Sequence, residues 1–110
     1  MNVNQRDIVE VNFQLPGGKS KVHPALVVSN QSVLETEDIF YALMISSKEY
    51  NDDFSFELKN SMLTKPLNKV SYVKCQLLQS YSPDEVISKI SSIKLQFFEQ
   101  IKKIMFETVF

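Results

Sequence analysis

Residues 22–30 read Val-His-Pro-Ala-Leu-Val-Val-Ser-Asn, and the rest of the chain is organised around this stretch. Ala25 to Val28 is a short apolar run without a polar gap, which predicts a strand that is buried on both faces. Pro24 lacks a backbone N–H and is tolerated at the first residue of a strand. We therefore expect His23, the only histidine in the sequence, to lie where this buried strand meets solvent.

Alternating and continuous apolar patterns predict further strands on either side of this one. The expected strands are a half-buried one at Ile8–Phe13, a second central one at Ile39–Ile45, an amphipathic one at Phe54–Leu58 and another at Lys69–Cys75. Gln76–Tyr81 either continues the last of these or forms a new strand.

Helical signals are concentrated towards the end of the chain. Ser82 as N-cap, followed by Pro and by Glu85 as the partner in a capping box, predicts a helix start and a short helix over Val86–Ile90. The polar stretch Gln31–Asp38 is expected to hold one helical turn or a loop. Leu95–Phe110 is expected to form a longer amphipathic helix. Its apolar stripe contains Phe97, Phe98, Ile101, Ile104 and Met105. Five or more short strands followed by a helix predict a small barrel with that helix packed on it.

The segment Leu15–Lys21 contains both glycines of the chain, Gly17 and Gly18. Two glycines in one loop indicate a tight turn or a close approach of the backbone to a ligand. The order Gly-Gly-Lys-Ser superficially resembles a phosphate-binding loop. That interpretation is rejected, because the first glycine of the motif is missing and a strand follows where a helix is required.

Length and composition predict one cytoplasmic domain spanning residues 1–110. Twelve basic and thirteen acidic residues give a net charge of −1, so a nucleic-acid site must be local. A single cysteine, Cys75, excludes an internal disulfide and fits a reducing compartment. The sequence has no apolar leader and no stretch of membrane-spanning length, so no membrane association is expected.

Taken one at a time, the reactive residues have structural interpretations. One histidine and one cysteine far apart in sequence predict no metal site. Cys75 lies beside bulky neighbours and is interpreted as an inert buried thiol. Asp52 and Asp53 are interpreted as a solvated charge pair in an acidic loop over Glu49–Asp53. Alone, His23 is more often structural than catalytic, and Ser46 is merely a hydroxyl at a strand end.

Three motifs taken in order resemble the MazF/PemK (Kid) toxin family. Arg6–Phe13, the Gly-Gly loop and His23–Asn30 resemble the family's opening of Gly-Asp-Ile/Val, a strand, a glycine-containing loop and Arg-Pro-(apolar)-Leu-Val-Val. The strand ending in Ile45 and Ser46 resembles a family strand that ends in Thr or Ser. Residues 73–76, Val-Lys-Cys-Gln, resemble the Val-Arg-Cys-Asp of PemK. The length and the closing helix agree with this resemblance.

The resemblance implies a mainly β fold, a small SH3-like antiparallel barrel (MazF/CcdB-like) with a C-terminal α-helix. It also implies a homodimer, a cognate antitoxin whose disordered tail blocks the RNA groove, and sequence-specific cleavage of single-stranded RNA without metal or cofactor. In this family the RNA's own 2′-hydroxyl attacks the adjacent phosphate. The protein must then supply a base, an acid and a cation for the developing negative charge.

Position by position, the family's catalytic Arg becomes His23 and its Thr becomes Ser46, while the second Arg and the Asp of PemK become Lys74 and Gln76. Ser keeps the hydroxyl, Lys keeps a charge without the guanidinium fork, and Gln loses a proton acceptor. Imidazole titrates near neutrality, so His23 is able to carry proton transfer itself. The expected RNA-binding residues are Gly17, Gly18, Lys19, Lys21, Ser47 and Lys48.

Two alternatives stay open. The four departures also fit a catalytically degenerate protein that binds RNA or an antitoxin without cleaving RNA. A CcdB-like protein that acts on gyrase shares the fold, but its recognisable C-terminal sequence is absent from a chain that ends Glu-Thr-Val-Phe. In either case Phe106 and Phe110 are expected to help bury a partner surface.

Overall fold

The computed structural model describes residues 2–14, 17–48 and 52–110. The predicted loops at Leu15–Lys21 and Glu49–Asp53 therefore fall partly outside the described residues, at positions 15–16 and 49–51. Within the described ranges the chain forms one antiparallel sheet of six strands. They are β1 (Asp7–Gln14), β2 (Ser20–Val27), β3 (Phe40–Ser46), β4 (Ser55–Leu58), β5 (Ser71–Tyr81) and β6 (Ser88–Ser92), in the spatial order β4-β5-β3-β2-β1-β6.

The sheet curls so that its two edges approach each other. An antiparallel bridge joins Leu63, after β4, to Ile93, after β6. Beside it the Thr64 N–H donates to the Ser92 carbonyl at 2.9 Å. Helix α2 (Leu95–Val109) packs on the curled sheet through Phe98 and Ile101. The predicted barrel-like, mainly β fold with a C-terminal helix is confirmed.

The segment of β2 that begins at Ala25 is buried on both faces of the sheet, as predicted. Leu26 belongs to a hydrophobic cluster beneath α2, whereas Ala25 and Val27 belong to a cluster on the opposite face. Strands on either side contribute in the same alternating way, with Ile8 in the first cluster and Val9 in the second. Each fully buried Leu or Ile side chain stabilises the fold by about 1.5–3 kcal/mol relative to exposure.

The start of β2 differs from the prediction. The strand begins at Ser20, so His23 lies inside it, directly opposite Val11, and not before its first residue. The reason is the long hairpin with β1, which continues to the pair Gln14 and Ser20. Pairing between β2 and β3 covers only Ala25–Val27. Pro24 thus lies just outside that second ladder, where its missing N–H is tolerated.

The prediction of a short helix over Val86–Ile90 is wrong. Ser82 and Glu85 do form the capping box, but only a single 3₁₀ turn follows, at Pro83–Glu85. Ser88–Ser92 then pairs with the free edge of β1 as β6. Tertiary pairing with a distant strand therefore overrides the local helix signal.

The remaining elements follow the predictions closely. Gln76–Tyr81 continues β5 as one strand of 11 residues. Gln31–Glu37 forms the short helix α1, and the Val33 N–H donates to the side chain of its N-cap, Asn30, at 3.3 Å.

Candidate functional site

A surface groove of about 470 Å³ lies where β2 and β3 run past each other. The β2–β3 ladder pairs Ala25 with Met44. Continuing this antiparallel register by two residues sets His23 opposite Ser46, and both residues line the groove. The rest of its lining includes Glu10, Lys21, Ser47, Pro66, Leu67, Asn68, Lys69, Ser71 and Ile90.

His23 is half-buried, and its environment favours the neutral imidazole. Burial lowers the pKa of His23 from its ordinary value of 6.5, and the charge of Lys21 lowers it further. A hydrogen bond to the Ile45 backbone acts in the opposite direction without reversing the shift. The ring also packs edge-on against Phe13, with 6.3 Å between the centroids. At neutral pH the side chain is thus a proton acceptor held in a fixed place.

Ser46 is 7% exposed, and its hydroxyl is held in position by the turn that follows β3. The Lys48 N–H donates to Ser46 Oγ at 3.2 Å. An oxygen that accepts this bond still carries its own proton, so the hydroxyl can donate to an oxygen of a ligand in the groove.

The groove carries cations from two separate segments. Lys21 is contributed by β2, and Lys69 lies just before β5. The carboxylate of Glu10 also reaches the groove, where it accepts a hydrogen bond from Ser88 Oγ at 2.5 Å. A proton acceptor, a hydroxyl and two ammonium groups around one cleft suit a phosphodiester, whose reaction needs proton transfer and charge stabilisation.

Lys74 occupies a different place from the one that its predicted role requires. It is 2% exposed and does not line the groove. Its Nζ lies 3.1 Å from Asp52 Oδ2 and also donates to the Ser55 hydroxyl. Burial raises the pKa of Asp52, but the Phe54 N–H, Lys74 and Ser55 together hold it below its ordinary value. The interpretation of Asp52 as a solvated charge is therefore wrong, because its carboxylate is paired with Lys74 on β5.

The sequence pattern of PemK-like, MazF-like toxins of type II toxin–antitoxin systems matches residues 4–107. The chain belongs to this family. No curated protein matches the sequence.

Solved structures of this toxin family share the fold. An endoribonuclease from Mycobacterial species has a TM-score of 0.79 and 14% identity, over 99% of this chain and 93% of that one. Another mycobacterial endoribonuclease, in complex with its cognate antitoxin, has a TM-score of 0.78 and 13% identity, over 98% and 95%. MazE–MazF from Deinococcus radiodurans has a TM-score of 0.76 and 15% identity, over 97% and 95%.

Five of the other predicted site residues of this toxin-family chain lie outside the groove lining. Gly17 and Gly18 both have positive φ, +86° and +80°, as expected for a tight turn that favours glycine. Neither of them lines the groove, and nor do Lys19 and Lys48. Gln76 lines a second, smaller pocket on β5.

Cys75 has the inert character that its sequence context predicts. The side chain is buried, and burial raises the pKa of its thiol to about 12. A thiol with so high a pKa does not form the reactive thiolate at neutral pH.

Sequence reasoning missed Asn68 and Lys69 as groove residues. The sequence predicts Lys69 as the first residue of a strand, but β5 begins at Ser71, so both residues lie in the irregular stretch between β4 and β5. Among the residues that the structure describes, no three His, Cys, Asp or Glu side chains are grouped so that they could hold a metal ion. Nor does any helix in the described part of the chain have the length and apolarity needed to cross a membrane.

Proposed function

We propose that this chain is a metal-independent endoribonuclease toxin that cuts single-stranded RNA at short sequences, with the groove as the cutting site. One observation carries the proposal. His23 and Ser46, which match the family's catalytic Arg and Thr, line the same groove, and the pKa of His23 is lowered. That combination supplies a general base beside a hydroxyl donor.

The proposed reaction uses the RNA's own 2′-hydroxyl as the nucleophile. Neutral His23 takes the proton of this hydroxyl, and the oxygen forms a bond to the adjacent phosphorus. The bond from phosphorus to the 5′-oxygen of the next nucleotide breaks, and that oxygen takes a proton from solvent. The products are a 2′,3′-cyclic phosphate and a 5′-hydroxyl. Ser46 and Lys21 stabilise the negative charge that grows on the non-bridging phosphate oxygens.

The remaining polar residues have supporting roles in this proposal. Gly17, Gly18 and Lys19 let the β1–β2 hairpin loop follow the RNA backbone, while Ser47, Lys48 and Lys69 contact it from the other side of the groove. We assign Lys74 to anchoring the loop at Asp52, since its ammonium already lies 3.1 Å from that carboxylate. Gln76 lies outside the groove and takes no part in the proposed reaction.

The same proposal includes a homodimer and a cognate antitoxin in the cytoplasm, with residues 1–110 as one toxin domain. Phe106 and Phe110 pack on each other with 5.3 Å between ring centroids, and they are 59% and 83% exposed. Such an aromatic patch favours burial against a second copy. Lys21 and Lys69 in the groove favour an antitoxin tail that carries acidic residues.

The proposal is tested with purified protein and a long single-stranded RNA in EDTA. We expect cuts at a small set of short sequences, with cyclic phosphate at the upstream ends. Cleavage that stops in EDTA and returns with Mg²⁺ contradicts a metal-independent reaction.

RNA binding without cleavage is the second candidate function. The engagement of Lys74 with Asp52 favours it, because the cation at the position of PemK's second Arg is already paired. Intact RNA together with a stable protein–RNA complex in a mobility-shift assay would select this candidate.

A further inference from the structure

A second pocket of about 210 Å³ is lined by residues of β1, β3 and β5, among them Phe13. Phe13 contacts His23 edge-on and also lines this pocket, so the two sites share one side chain. Met44 lines it as well, and it lies only two residues before Ser46 on β3. The second pocket is therefore connected to the groove through Phe13, which contacts His23, and through β3, which carries both Met44 and Ser46.

An irregularity in β5 forms the far wall of the pocket. The β3–β5 ladder pairs Leu43 with Leu78 and then Ile45 with Val73, so β5 contains extra residues at this point. A bulge of this kind redirects side chains, and bulges are common beside functional sites. Here it leaves Leu77 and Leu78 40% and 36% exposed at the pocket.

Three glutamines line the pocket, Gln14, Gln76 and Gln79, and in the described part of the chain Gln76 is the one with an unpaired buried atom. Its Oε1 is buried and has no hydrogen-bond partner among the described residues. Gln79, in the same pocket, differs because its Oε1 accepts the Tyr81 hydroxyl at 2.9 Å. A buried acceptor without a donor is costly, and a ligand that brings an N–H removes that cost.

We propose that this pocket binds one base of the RNA beside the cut, and that Gln76 selects adenine or cytosine there. The inference rests on the proposed ribonuclease function. A base offers flat apolar faces to Phe13, Met44 and the two leucines, and a polar edge to Gln76. At the position where adenine and cytosine carry the N6 or N4 amine, which donates to Oε1, guanine and uracil carry the O6 or O4 carbonyl, which is left unpaired against Oε1.

The test is cleavage of a random-sequence single-stranded RNA pool followed by sequencing of the new ends. For the wild type we expect one position near the cut to favour A or C by about tenfold, the value of roughly one hydrogen bond. Gln76→Leu should abolish the base preference at that position and at no other. Gln76→Lys, which has donors only, should shift the preference towards G or U. Gln76→Glu, which keeps the acceptor, should retain A and C.

The matched control is Gln100→Leu, the same change on the exposed face of α2, and it should alter no position. If Gln76→Leu does not fold, the opposite shifts of the Glu and Lys variants decide the question. Base preferences that are identical in the wild type and in the Glu and Lys variants would overturn the proposal.

The experiments distinguish an incorrect base-pocket proposal from an incorrect ribonuclease proposal. If the wild type cuts no RNA, fluorescence anisotropy with oligo(A), oligo(C) and oligo(U) reports on the pocket alone. Tighter binding of oligo(A) and oligo(C), reversed by Gln76→Lys, supports the base pocket although the proposed function is lost. Equal affinities for all three in every variant overturn both.

Discussion

Replacing His23 with Ala should slow RNA cleavage strongly while destabilising the fold only slightly. A general base contributes on the order of 10²–10⁴-fold in rate. That factor corresponds to about 2.7–5.4 kcal/mol of activation free energy. The structural cost is much smaller, because the half-buried ring's main described side-chain partner is Phe13, and an edge-on aromatic contact is worth about 0.5–1.5 kcal/mol.

Two measurements on the same preparations check this. Single-turnover cleavage of a short RNA containing one mapped site gives the rate, and urea unfolding gives the free energy of unfolding. His23→Gln is a second variant that keeps hydrogen-bonding capacity but cannot transfer a proton, so it should be as slow as Ala. A rate loss below tenfold in both variants would refute the assignment of His23 as the base. A loss of stability as large as the loss of activation free energy would show that the ring is structural.

Three further predictions address the site and its surroundings. The pKa of His23 is lowered and the neutral form is the base, so the cleavage rate should rise with pH to a plateau, with a midpoint below pH 6.5. His23→Arg should abolish this rise. A cleavage rate that falls with increasing pH would contradict the prediction. The same shift links folding to pH: the stability contributed by neutral His23 is complete above 6.5 and is lost as pH falls through the lowered pKa, which urea titrations across this range will detect. The double variant Phe106→Glu/Phe110→Glu should be a monomer in light scattering, whereas Leu95→Glu, at the other end of α2, should remain a dimer. If the double variant is still a dimer, Phe106 and Phe110 are not at the interface.

Much of the sheet could be predicted because burial on both faces leaves a direct signature in sequence. Ala25 to Val28 has no polar gap, and the structure places its residues in the clusters on both faces of the sheet. The strand β6 has no such signature, since Ser88–Ser92 is a mostly polar edge segment. Its conformation depends on pairing with β1, almost eighty residues earlier, which no local pattern encodes.

In the candidate site too, local motifs predict some of the residues, whereas contacts between distant residues determine the positions of others. His23 and Ser46 were predicted from motifs at the ends of apolar strands, and antiparallel pairing brings them to one groove. Burial of Lys74 depends on Asp52, 22 residues away, and that ion pair has no sequence signature. Lys69 was missed because the sequence pattern places it in a strand, whereas β5 begins two residues later and Lys69 lies in the irregular segment before it.

In the proposed function, this chain cuts RNA by activating the RNA's own 2′-hydroxyl. This mechanism is tested most directly by changing one atom of the substrate. A short RNA with one mapped site is compared with the same RNA carrying a 2′-deoxy nucleotide immediately upstream of the cut, both in EDTA. We expect the first strand to be cut and the second to stay intact, although the protein binds both equally. Equal cleavage of the two strands would contradict this mechanism, because the attacking oxygen would then come from somewhere other than the RNA.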